Sequence, residues 1–152
     1  MISVIIPTFE RAESLRLCLT ALQQQTFKDF EVIVVDDGSD DFSVAAEFGV
    51  RYIWHPHDGF GAGKSRNDGY RLSQGELLHF IDSDVMLAPT ALENAWAMYQ
   101  ENPNRAIGGY YKYLPGMVIS PQDVIDHWDD IAGYAQLISQ RLMHDTPPKD
   151  PR

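Results

Sequence analysis

Three stretches of this chain, Ile2 to Ile6, Phe30 to Val35 and Leu77 to Ile81, are nearly unbroken runs of Val, Ile, Leu and Phe. A run this short has no room for a helical stripe, and the lack of polar alternation argues against a strand with one wet face. Such runs suit strands buried on both faces of a parallel sheet. Arg51 to Trp54 reads as one further, shorter strand. Because each buried face needs a cover, helices are expected between the strands and on both sides of the sheet.

The segments between the runs meet that demand. Ala12, Leu15, Cys18, Leu19 and Leu22 recur at helical spacing and leave Arg16, Gln23 and Gln24 for solvent. A second helix is expected from Gly63 to Ser73, and a third opening at Pro89 with Leu92, Ala95, Trp96 and Tyr99 on one face. Regular alternation of strand and helix predicts a doubly wound α/β fold whose ligand crevice lies beyond the carboxyl ends of the strands.

Past residue 105 the pattern changes. Ala106 to Tyr113 reads as a fifth strand, and Ser120 and Pro121 open a helix over 120–143. Val124, Trp128, Ile131, Ala135, Ile138 and Leu142 form its apolar stripe. That stripe either packs on the domain's own sheet or meets a second half or another subunit, which would make a homo-oligomer. The expected division is one domain over 1–145 and a proline-rich linker or frayed tail over 146–152. A chain of 152 residues buries roughly 70% of its unfolded surface, enough for one core.

Charge and cysteine content narrow the function classes. A net charge of −10 argues against nucleic-acid binding, which needs clustered Lys and Arg, and suits a site that collects cations. The single cysteine, Cys18, excludes a disulfide framework and a multi-cysteine metal site and points to a reducing, cytoplasmic setting. No apolar run approaches a membrane span and no leader precedes the first strand, so any membrane association would be peripheral.

Polar residues stand directly after each buried run. Pro7 and Thr8 follow the first, Asp36 and Asp37 the second, Asp82 and Asp84 the third. In extended backbone the carboxylates of Asp82 and Asp84, two residues apart, point to one side and can approach one divalent cation. Hard oxygen ligands imply Mg²⁺ or Mn²⁺, which binds through one or two carboxylates plus substrate phosphates. Asp36 and Asp37 face opposite ways, so one carboxylate reaches the crevice, and Asp37 is the choice. Several acids around one crevice call for basic partners, Arg66 first and Lys64 next.

The segment Gly59 to Ser65 invites comparison with a phosphate-binding P-loop, which would make the chain a phosphotransferase. The spacing opposes that, because the first glycine of the motif would fall on Asp58 and the run does not leave directly from a strand. These glycines instead allow close backbone approach at a helix start, where free N–H groups favour an anion. His55 and His57 flank Pro56 in a turn with no third histidine nearby, and read as loop residues. Ser65 and Ser83 have no near histidine in sequence to activate them.

Taken in order, VIIPTF at Val4 to Phe9, FEVIVVDDGSDD at Phe30 to Asp41, KSRNDG at Lys64 to Gly69 and FIDSDV at Phe80 to Val85 resemble the amino-terminal half of family 2 glycosyltransferases. The resemblance covers about residues 1 to 113. It implies a Rossmann-like GT-A fold, with a mostly parallel central sheet and helices on both faces. It also implies transfer of a sugar from a nucleoside diphosphate donor, UDP-linked, to the hydroxyl of a saccharide, lipid or protein acceptor, with inversion. Carried over by position, Pro7, Thr8 and Phe9 contact the nucleoside and Asp37 the base, while Arg66 lies beside the base or diphosphate. Asp82 and Ser83 face the ribose, and Asp84 coordinates the metal, with Asp82 a second candidate ligand. Two departures stand out. Glu10 occupies a place where the family often has Asn, and no glycine-rich segment followed by Glu-Asp supplies the general base beyond Asp84. Asp129 and Asp130 are acidic but belong to the solvated side of the expected helix. An active transferase whose base goes unrecognised, a donor-binding half without its acceptor-binding portion, and a non-catalytic nucleotide-binding module all accommodate that gap.

Overall fold

The computed structural model describes residues 1–135 apart from 42, 60, 105, 111, 113 and 115–117. Its centre is the strand β1, Ile2–Thr8, every residue of which is buried. β1 pairs in parallel with β2, Phe30–Asp36, on one side and with β4, Leu77–Phe80, on the other. The short β3, Arg51–Trp54, adds in parallel to the far side of β2, giving the order β3-β2-β1-β4. The chain therefore builds outward in one direction, then returns across β1. Between β1 and β4 the strand order reverses, and the carboxyl ends of all four strands share one edge.

Period-two geometry assigns the two faces of β1 to different helices. Ile2, Val4 and Ile6 join Val34 in one core with Leu15, Cys18, Leu19 and Leu22 of α1, Ala12–Gln23. Val44 of α2, Ser43–Phe48, and Leu92 of α4, Ala91–Glu101, complete that layer. On the opposite face lies α3, Ala62–Leu72, whose Gly69 is set directly against Ile5 and Val35.

One buried polar side chain ties the first layer together. Gln25, fully buried just past α1, donates through Nε2 to the Ala88 carbonyl at 2.8 Å and accepts the Leu92 N–H at 3.1 Å. Leu92 lies in the first turn of α4, where backbone N–H groups lack an intrahelical partner. Gln25 thus caps the helix by reaching 67 residues along the chain. Gln25→Leu fits the space and strands the Leu92 N–H, while the Ala88 carbonyl keeps the Ala91 N–H, so stability should fall by about 1–3 kcal/mol, measured by urea unfolding. A loss under about 0.5 kcal/mol would show that water replaces the amide.

Several expectations need correction. The Leu77 to Ile81 run is not buried on both faces; β4 is an edge strand among the described residues, and Phe80 is exposed. Residues 106–110 and 112 form no strand. α4 opens two residues after Pro89, which sits in the turn ahead of the Thr90 cap. The helix expected over 120–143 is broken: α5, Pro121–Asp126, starts from a Ser120–Asp123 capping box, as Ser-Pro signalled, and stops at His127. There φ is −128° and ψ 29°, and helix resumes over residues 128–135. Val124, Ile131 and Ala135 are buried, while Ile138, Leu142 and the tail 146–152 lie outside the described residues. The six-residue α2 was not foreseen at all. The chain divides into two compact units, Met1–Ile107 and Gly108–Arg152. Among the described residues no helix is long and apolar enough to cross a membrane.

Candidate functional site

Backbone hydrogen bonds carry the parallel register just past the strand ends. The Asp37 N–H donates to the Thr8 carbonyl at 2.9 Å and the His55 N–H to the Asp36 carbonyl at 3.1 Å. On the other flank the Ile81 N–H donates to Ile5 at 3.2 Å. Residues that follow β1, β2, β3 and β4 are therefore brought to one edge by the sheet itself.

The two aspartates of the first acidic pair have different tasks. Asp36 is buried, and its carboxylate accepts the Ser39 N–H at 2.8 Å and the Tyr52 hydroxyl at 2.7 Å. Burial, then the nearby carboxylate, push the Tyr52 phenol well above its usual range, so it stays a donor. Asp36 is thus consumed in building the turn. Asp37 looks the other way, with two hydrogen-bond donors and the His55 ring against it. His55 Nδ1 lies 3.2 Å from Oδ1, His57 Nδ1 3.0 Å from Oδ2, and the Gly61 N–H donates to Oδ2 at 3.2 Å.

Gly61 is there because nothing larger fits: a Cβ would stand 2.5 Å from both carboxylate oxygens. It is also the cap residue of α3, so the anion drawn to this helix start is the protein's own Asp37. That occupancy, together with the exposure of Lys64, removes the P-loop reading, which needs open N–H groups around a phosphate. Gly38 closes the turn with φ of +95° and packs against His57.

The histidines are the largest omission of sequence reading. His55 Nε2 also lies 3.2 Å from Ser65 Oγ, so Asp37, His55 and Ser65 line up as a nucleophilic triad does. In the fold, then, Ser65 does have a histidine beside it. Ser65 is nevertheless fully buried in the first turn of α3, where no substrate reaches it, and the series serves to hold His55 and Asp37 in place. The signal that could have found the histidines is register. A parallel β3 ending level with β2 must put the residue after Trp54 beside the residue after Asp36.

Phe9 stands at the mouth, 41% exposed, with the His57 ring stacked on it at 4.1 Å and 5°. Pro7 and Thr8 are buried within β1, so of these three Phe9 alone offers a free face. Glu10 follows with φ of +50°, the left-handed region that Asn tolerates better than Glu. It is held there by the Glu10 N–H donating to Ser39 Oγ at 2.8 Å and by Oε1 accepting the Asp40 N–H at 2.9 Å.

On the β4 side the segment 82–85 is a turn, the Val85 N–H bonding the Asp82 carbonyl at 3.1 Å, and not the extended backbone assumed for two carboxylates sharing a side. Arg66, from the second turn of α3, is paired with Asp82. Arg11, unforeseen, approaches Asp84 at 3.5 Å. Ser83 between them is buried. Asp84 is 52% exposed against 61% for Asp82, yet it is the less tightly paired of the two. Among the described residues no group of three or more His, Cys, Asp or Glu could hold a metal ion. Beneath the turn, burial and then Asp84 push the Cys18 thiol up to about 12, which makes it an inert core residue. Asp129 and Asp130 are exposed.

The profile of glycosyl transferase family 2 matches residues 3–135. The chain belongs to that family. A Haemophilus influenzae protein described as an uncharacterized glycosyltransferase is 37% identical over 107 residues, covering 68% of this chain and 36% of that protein. The poly(ribitol-phosphate) beta-N-acetylglucosaminyltransferase TarP of Staphylococcus aureus is 34% identical over 118 residues, covering 72% of this chain and 36% of TarP. Among solved structures, S. aureus TarS 1–349 in complex with UDP-GlcNAc superposes with a TM-score of 0.63 at 27% identity. That match covers 71% of this family 2 chain and 37% of the TarS chain. The family 2 chain thus spans little more than a third of the length of these relatives, and its α/β sheet is that of GT-A glycosyltransferases.

Proposed function

We propose that this chain is the nucleotide-sugar-binding half of a metal-dependent, inverting glycosyltransferase that uses a UDP-linked donor. The observation that carries the reading is the gathering of Phe9, Asp37, Arg66 and the Asp82–Asp84 turn at one sheet edge, beside the reversal of strand order. In this reading Phe9 offers its ring to the base and Asp37 accepts a base N–H, while Pro7 and Thr8 fix both through the end of β1. Arg66, Asp82 and Ser83 face the ribose and diphosphate. Asp84 holds Mn²⁺ or Mg²⁺. The TarS relative that binds UDP-GlcNAc supports a UDP-linked donor.

The cation would neutralise charge that grows on the departing diphosphate. Arg66 and Arg11, drawn to the same turn, add fixed positive charge there. Inversion requires an acceptor hydroxyl to attack the anomeric carbon opposite the diphosphate and to lose its proton to a base. Site residues of this chain bind and orient the donor; the acceptor and that base belong to the remainder of an enzyme of this length class.

Calorimetric titration with UDP, GDP and ATP, each with and without Mn²⁺, tests the reading. UDP should bind at least about tenfold more tightly, or about 1.4 kcal/mol better, when Mn²⁺ is present. It should also bind more tightly than ATP. Failure of every nucleotide to bind in the presence of Mn²⁺ would overturn it.

A further inference from the structure

His57 reproduces, within the protein, the two contacts assigned to the nucleobase. Its imidazole lies parallel to the Phe9 ring at 4.1 Å, the distance of an aromatic stack. Its Nδ1 lies 3.0 Å from Asp37 Oδ2 and 3.0 Å from the Asp37 carbonyl oxygen. Both neighbours are acceptors, so Nδ1 carries the proton and donates it. A flat heteroaromatic ring stacked on Phe9 with a ring N–H aimed at Asp37 describes His57 and a bound uracil equally.

Access to Asp37 decides which can be there. The carboxylate side chain is only 9% exposed, so an incoming base reaches it only by moving one of its three neighbours. The Gly61 N–H is backbone at the cap of α3 and cannot leave. His55 is 12% exposed and anchored from its other nitrogen by Ser65. His57 is 39% exposed and, beyond Asp37 and Phe9, has no comparable anchor among its described contacts.

We propose that His57 occupies the nucleobase position in the free protein and swings out when the nucleotide enters, so that base binding exchanges one stacked, hydrogen-bonded ring for another. This rests on the reading of Phe9 and Asp37 as the base site. The exchange keeps Asp37 partnered at all times, which a buried carboxylate requires. It also lowers the apparent affinity by the fraction of molecules in which His57 is already out.

The test compares wild type with His57→Ala, using Mn²⁺–UDP and, as a probe without a base, Mn²⁺–pyrophosphate. Removing the internal occupant should tighten UDP binding roughly tenfold and leave pyrophosphate unchanged. In the wild type, UDP but not pyrophosphate should shift the His57 ring proton resonances as the ring leaves Phe9. Weaker UDP binding by His57→Ala at unchanged pyrophosphate affinity would make His57 a wall of the pocket and overturn the proposal. So would equal UDP affinities with unmoved His57 resonances. If pyrophosphate binds and UDP gains nothing over it in either protein, the base-site reading fails along with the exchange.

Discussion

Gly69→Ala should destabilise the protein by about 3 kcal/mol, whereas Gly63→Ala, six residues earlier in the same helix, should stabilise it by about 0.5–1 kcal/mol. Both substitutions add one methyl group to α3 and both improve helix propensity. What differs is the neighbour. A Cβ at Gly63 meets nothing within 4 Å, so only the conformational gain remains. At Gly69 it would stand 2.4 Å from Cγ2 of Ile5 and 3.3 Å from Cγ2 of Val35. Those side chains are fully buried in the two central strands and cannot turn aside. The helix itself must lift by more than an ångström. That movement also drags the site, because Gly61 holds Asp37 and Arg66 holds Asp82 from the first turns of the same helix. Urea unfolding of the two variants checks the opposite signs, and nucleotide titration of Gly69→Ala should show weakened binding before global unfolding. Equal stability of the two would mean that α3 does not pack through Gly69.

How much of this could be read in advance follows from the range of the forces involved. β1, β2 and α1 were legible because burial stamps a local pattern: seven consecutive residues of β1 are buried, and the α1 stripe repeats every turn. β4 misled because Leu77 to Phe80 carries the composition of a central strand in an edge position, and composition reports apolarity, not neighbours. The continuous stripe from Val124 hid the break at His127 because an interrupted helix can keep its apolar residues in phase. The six residues of α2 are too few for a period to register. In the site, strand alternation alone sends Asp36 and Asp37 opposite ways. Their histidine partners could not be read locally, since His55 and His57 reach Asp37 through the pairing of β3 with β2. Arg11 escaped for the same reason, its partner Asp84 lying 73 residues away.

Asp84→Ala should weaken Mn²⁺–UDP binding by about a hundredfold, or about 2.8 kcal/mol, and abolish the advantage of adding the metal. Charge placement sets the size of the effect. Asp84 is the less tightly paired carboxylate of its turn, and its long 3.5 Å contact with Arg11 leaves oxygen lone pairs for a cation. On the proposed assignment, deleting it removes a metal ligand and simultaneously releases Arg11, which would then be a free cation beside the diphosphate. Metal-free UDP binding should therefore hold steady or improve while the metal-assisted part disappears. Asp82→Ala makes the contrast. Its carboxylate is engaged by Arg66, so its loss frees a guanidinium without removing the open ligand, and Mn²⁺–UDP affinity should fall less than about tenfold, under about 1.4 kcal/mol. Both side chains are more than half exposed, so neither variant should lose much stability, and thermal melts run alongside separate binding from folding. If Asp82→Ala costs as much as Asp84→Ala, the two carboxylates share the cation, and the Arg66 pairing must open whenever metal and donor arrive together. If Asp84→Ala leaves the metal effect intact, the cation binds elsewhere, and the Asp84 turn only balances the charge of Arg11.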